Sequence, residues 1–142
     1  MLLPRSRKAP VDTQKESEGA EELGGNETVL VVEDDPDVLA MIVSLLGKYG
    51  YLVISAADGE EGLRLAETYG EDIDIVLSDI VMPRMNGHDL AAALKIKRPK
   101  IKVLLMSGYD QAQAEQAEAP DILFKPFRPQ GLLRRVRETL GV

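Results

Sequence analysis

Apolar residues in this chain fall into short continuous runs, separated by longer stretches in which they recur every third or fourth position. Thr28-Val29-Leu30-Val31-Val32 is a β-branched run that stops at Glu33-Asp34-Asp35-Pro36, the pattern of a strand buried on both faces. Asp35-Pro36 opens a helix, with proline at a favoured first-turn position, and Val38, Met41, Ile42, Leu45 and Leu46 form its apolar stripe up to Gly47 or Tyr49. Gly50 closes that helix. Tyr51 to Ser55 is the next strand, and a helix from about Gly59 through Tyr69 follows, with Leu63 and Ala66 on its inner face. Ile73 to Ser78 is a third strand ending at Asp79, and His88 through Lys97 is a third helix after a loop carrying Pro83 and Gly87. Ile101 to Met106 is a fourth strand. A polar, Ala- and Gln-rich stretch from Asp110 to Glu118 predicts a short helix, Asp121 to Phe124 a short fifth strand, and Pro129 to Leu140 a last helix.

Five strands alternate with five helices, and nearly all-apolar strands joined by helical crossovers imply a doubly wound α/β fold with a five-stranded parallel sheet covered on both faces. Such sheets bind ligands beyond the carboxyl ends of their strands, where the strand order reverses. The preceding segment, residues 1–27, is polar and carries both charge signs, so it cannot bury enough surface to offset the entropy of ordering and is expected to be a disordered linker or tail. The domain is expected over 28–142.

Composition narrows the function. The 142 residues carry a formal net charge of -7, which disfavours nucleic acid and anionic membrane as direct partners. Zero cysteines exclude disulfides, thiolate metal sites and cysteine nucleophiles, and suit a reducing, cytoplasmic setting. A single histidine, His88, sits at a helix start and reads as a surface or capping residue. No apolar run approaches the roughly 20 residues that cross a bilayer, and neither a Walker A nor a GxGxxG sequence is present to hold a nucleotide.

The chemistry lies at the strand ends. Glu33 and Asp34 end the first strand, Asp79 the third, Ser107 the fourth and Lys125 the fifth, so all five converge on one rim. Taken singly, each is more often a cap, a turn residue or a solvated charge. Together, three crowded carboxylates call for a hard divalent cation, Mg²⁺ or Mn²⁺, and the hydroxyl and ammonium complete a pocket for a tetrahedral anion.

The stretches VLVVEDDPDV, DIVLSDIVMPRMNG, VLLMSGY and FKPF resemble, in order and spacing, the four signatures of the response-regulator receiver family of two-component signalling. The resemblance covers about Thr28 to Leu140. It implies the flavodoxin-like receiver fold of chemotaxis regulators, Asp79 as phosphoacceptor, and a Mg²⁺ site of Glu33, Asp34, Asp79 and the backbone carbonyl of Val81. Asp35 falls outside the acidic pair. Ser107 and Lys125 stand where the family contacts the phosphoryl group, and the Lys125-Pro126 peptide would be cis. The implied reaction is phosphoryl transfer to Asp79 from a histidine kinase or a histidine phosphotransfer protein, which the domain catalyses upon itself without being a turnover enzyme for a separate substrate.

Three features modify this expectation. Many receivers carry a Tyr or Phe three residues before the lysine that changes rotamer on phosphorylation, whereas Ile122 stands here, so an aromatic switch is not expected. The Ser107 to Lys125 spacing is short, and Ala119-Pro120 predicts a short or irregular fourth helix. Val81 and Tyr109, two positions past Asp79 and Ser107, are apolar or bulky and predict slow loss of the phosphoryl group, which the decay of label in Mg²⁺ would measure. The alternative reading is a degenerate receiver acting as a phosphorylation-independent interaction module. A haloacid-type phosphohydrolase would want a general acid where Val81 stands. The start of the chain resembles the junction ahead of a C-terminal receiver in hybrid histidine kinases; a stand-alone regulator and a homodimer stay open.

Overall fold

The structure is a computed structural model that describes residues 23–107, 122–124 and 128–141. Five strands, β1 (Thr28–Val32), β2 (Leu52–Ala56), β3 (Ile75–Asp79), β4 (Lys102–Ser107) and β5 (Ile122–Phe124), form one sheet in the order β2-β1-β3-β4-β5. Every pairing is parallel. Among the described residues the helices are α1 (Pro36–Lys48), α2 (Gly59–Tyr69), α3 (Gly87–Lys97) and α4 (Pro129–Leu140), with a short 3-10 turn at Gly70–Asp72. The helix and the irregular turn expected between Asp110 and Pro120 lie outside the described residues.

The strand periodicity of two divides the core. Val29, Val31, Ile75, Leu77, Leu104 and Met106 face α1 and α4, where Ile42, Leu46, Leu132, Leu133 and Val136 meet them. Leu30, Val32, Val76, Val103, Leu105 and Ile122 face the other way, toward Leu90 and Leu94 of α3 and the half-buried Leu63 and Ala66 of α2. All of β1 after Thr28 is buried, as its apolar run predicts for a central parallel strand. Truncating Leu30 there would leave a cavity worth about 3 kcal/mol.

Two expectations change at the margins of this core. β2 begins one residue later than its sequence pattern suggests and is an edge strand, so Leu52 is 64% exposed despite the apolar run around it. Met41, assigned to the apolar stripe of α1, is half exposed because the buried side of that helix is centred on Ile42 and Leu46. Asp35 caps α1 by accepting from the Asp37 and Val38 amides, with Pro36 in the first turn as expected.

At the N-terminal rim of the sheet, residues 23–27 are fastened to the domain. The buried Tyr51 hydroxyl donates to the Leu23 carbonyl, and Arg137 of α4 donates to Glu27 at 2.8 Å and to the Tyr51 oxygen at 3.3 Å. The hydrogen bond to Tyr51 holds the Arg137 guanidinium above its ordinary pKa, while burial raises that of the Tyr51 hydroxyl.

Candidate functional site

Strand order reverses at β1, whose neighbours are β2 on one side and β3 on the other. The register pairs Val32 with Ser78, so the residues that follow, Glu33 and Asp79, leave adjacent strands side by side. Carboxylate oxygens of Glu33, Asp34 and Asp79 all lie within 4.8 Å of one another. Their surroundings differ: Glu33 is 1% exposed, Asp79 is 7% exposed and Asp34 faces solvent. Glu33 is fixed at both ends, its amide donating to Ala56 of β2 and its side-chain Oε2 accepting from the Asp35 amide. Three oxygen donors with this much negative charge, half sunk and half open, fit a hard divalent cation that keeps part of its water shell.

Ser107 ends β4, fully buried, one strand beyond Asp79. β3 and β4 are paired as far as Asp79 and Met106, and the Ile80 amide then donates to the Met106 carbonyl, which carries the contact past the strand ends. Val81 sits in the loop after β3 and is 58% exposed. The structure therefore brings Glu33, Asp34 and Asp79 together, with Ser107 at the end of the next strand. Lys125 and the Lys125-Pro126 peptide lie outside the described residues. His88 is exposed in the first turn of α3, whose cap is Asn86, accepting from the Asp89 amide.

The loop between β3 and α3 is shaped by contacts that a motif does not reveal. The Gly87 amide donates to the Ile80 carbonyl at 2.8 Å, and a Cβ at Gly87 would lie only 2.5 Å from the Asp79 carbonyl oxygen. A side chain there would push the loop off the end of β3. At the tip, the Met85 amide donates to the Pro83 carbonyl around Arg84, which has φ 71°, the left-handed region. Arg84 in turn meets Asp58 at 3.2 Å and Glu60 at 3.7 Å, at the start of α2. Asp58, Glu60 and Arg84 are site-bordering residues that sequence reasoning passed over; the Asp58-Gly59-Glu60-Glu61 cap signature was the available signal.

With this geometry in hand, a family model for the response regulator receiver domain matches residues 29–137. The chain belongs to the response regulator receiver family. As a receiver of two-component systems it is similar to the sensor kinase CckA of Brucella abortus, 39% identical over 141 residues, which is 96% of this chain and 15% of that one. It is 30% identical to the transcriptional regulatory protein PhoP of Bacillus subtilis, over 81% of this chain and 49% of the regulator. The receiver thus spans a small part of the first of these relatives and about half of the second. Among solved structures, a putative response regulator from Chloroflexus aurantiacus aligns with TM-score 0.73 at 30% identity, covering 83% of this chain and all of that one. The receiver domain of the hybrid histidine kinase CckA aligns with TM-score 0.68 at 30% identity, covering 80% of this chain and 98% of that domain. Receivers of this family work with histidine kinases or phosphotransfer proteins and bind Mg²⁺ at an acidic pocket, which the three clustered carboxylates match in kind.

Proposed function

We propose that this receiver accepts a phosphoryl group on Asp79 in a Mg²⁺-dependent reaction. The observation that carries the reading is the trio of carboxylates at the ends of β1 and β3, with an oxygen of each within 4.8 Å of the others. Glu33 and Asp34, with Asp79 and the carbonyl of Val81, would hold the cation; Mn²⁺ has the same ligand preference. When bound there, Mg²⁺ supplies neutralisation of the charge on the phosphoryl oxygens. An oxygen of Asp79 attacks the phosphorus of a phosphohistidine. The P–O bond forms as the P–N bond breaks, and the bonding pair leaves on the imidazole nitrogen. Ser107 and Lys125 bind the phosphoryl oxygens of the resulting acyl phosphate.

The donor is a histidine kinase or a histidine phosphotransfer protein. Similarity to CckA over nearly the whole chain supports a place within or beside a hybrid kinase in the cytoplasm, with residues 1–27 as the connection into the domain. The CheX-CheY-BeF3-Mg complex from Borrelia burgdorferi, 25% identical with TM-score 0.71, supports the same chemistry here. Incubation with acetyl phosphate and Mg²⁺, resolved on a phosphate-affinity gel, tests the proposal. The native chain should be labelled and Asp79→Asn should fall at least about 100-fold, the scale of losing a nucleophile. Equal labelling of the two would place the phosphoryl group elsewhere, and no labelling of either would leave the interaction-module reading in its stead.

A further inference from the structure

The loop that leaves Asp79 carries Val81, which is 58% exposed between Ile80 and Met82, both buried in the α2–α3 side of the core. It is fastened at both of its ends and at its tip. Gly87 closes it against Ile80, as described, and Met85 rests on Gly59, where a Cβ would lie 2.8 Å from the Met85 carbonyl oxygen. Between them, the Arg84 guanidinium spans Asp58 and Glu60 at 3.2 and 3.7 Å. Asp58 serves two partners with separate oxygens: Oδ1 accepts from the Glu61 amide at the start of α2, and Oδ2 accepts from Arg84.

Arg84 is the one non-glycine residue with positive φ among the described residues. A glycine or asparagine would occupy that backbone position with less strain. Strain of this kind persists where surrounding contacts over-determine it, and it clusters at functional sites. The ion pair itself is exposed at the Arg84 end, 64%, so its contribution to global stability is small. Its effect falls instead on the local geometry of the loop tip, between the buried Met82 and the hydrogen bond from Gly87 to Ile80.

We propose that Arg84 is a positioning residue for the divalent-cation site: by latching the tip of the β3–α3 loop to Asp58 and Glu60, it adds to the burial of Ile80 and Met82 in keeping the Val81 carbonyl in the binding arrangement. The inference rests on the proposed Mg²⁺ site and adds to it a residue that touches neither cation nor phosphoryl group. Two physical pictures give opposite signs. If Arg84 acted only through its field, removing its positive charge would tighten Mg²⁺ binding, and removing the charges of Asp58 and Glu60 would weaken it. A latch predicts that either change weakens binding, and that combining them adds little to either alone.

The test uses the full chain, ¹⁵N-labelled and titrated with Mg²⁺ alone, following amide resonances, with a thermal melt of each variant. Arg84→Gly relieves the left-handed strain while breaking the latch. Asp58→Asn with Glu60→Gln keeps the helix cap but removes both carboxylates. Each is expected to raise the half-saturating Mg²⁺ concentration about threefold, the size of an exposed ion pair, with the melting midpoint within a degree or so of native. Arg84→Lys, which keeps the charge without the fork, should fall between native and Arg84→Gly. Unchanged or tighter Mg²⁺ binding by Arg84→Gly overturns the latch. A native chain that shows no Mg²⁺ response overturns the cation site, and the latch with it.

Discussion

At the N-terminal ends of the strands, Arg137 reaches Glu27 and Tyr51, Arg98 donates to the carbonyls of Gly70 and Ile73, and Lys102 donates to the Leu140 carbonyl at the end of α4. At the C-terminal ends, Glu33, Asp34 and Asp79 bring like charges within 4.8 Å of one another. One rim satisfies polar groups locally and joins helices to strands, which serves stability. The other gathers three carboxylates where a helix-covered sheet opens, and that arrangement gains from a cation. The same sheet therefore separates the residues that keep it folded from those that make it reactive.

The largest effect that would sharpen this contrast is at Arg137. Its side chain is 19% exposed, and Arg137→Ala would leave Glu27, itself 22% exposed, without that partner inside a network including Tyr51. Loss of about 2 kcal/mol in a urea titration is expected, discounted from fully buried pairs for residual solvent contact, with the rate of phosphoryl acceptance unchanged. A parallel fall in that rate would show that the two rims are not separable. The next effect is at the reactive rim, where Mg²⁺ at ten times its dissociation constant should stabilise the native chain by about 1.4 kcal/mol through mass action. Glu33→Gln should lose most of that gain, whereas Arg137→Ala should retain it; the reverse pattern in thermal melts would contradict the assignment.

The smallest effect is a pH dependence. Burial raises the Tyr51 pKa in the folded chain, so above about pH 10 the unfolded chain gives up this proton first. The stabilisation linked to that proton is complete below the unfolded pKa and is lost as pH rises through the folded one. Tyr51→Phe should flatten the alkaline arm of the stability profile relative to native. Identical slopes above pH 10 would mean that the hydroxyl titrates alike in both states.

How legible these features were depends on what set them. β1, β3 and β4 could be read because central parallel strands are buried on both faces and must be apolar throughout. β2 carried a similar apolar run, yet its place at the edge of the sheet is a property of topology, and so is the exposure of Leu52. The acidic trio was legible because strand ends fall where parallel topology requires. The latch of Arg84 on Asp58 and Glu60 was not, since it joins a loop to the start of α2, and their approach depends on two glycines and a left-handed backbone. Ile122 stood out in the sequence as a departure. Its setting is a property of the fold: it is 3% exposed within the α2–α3 side of the core, and its carbonyl accepts from Arg135 at 3.0 Å, which ties β5 to α4.

The β1–β3 pairing has a kinetic corollary. Glu33 and Asp79 are neighbours through the pairing of β1 with β3, strands separated along the chain by a helix, an edge strand and a second helix. A chain collapsed around β1, α1 and β2 alone would hold two of the carboxylates but not the third. Cation uptake during refolding would therefore time the moment at which the central strands find each other, apart from any signalling role.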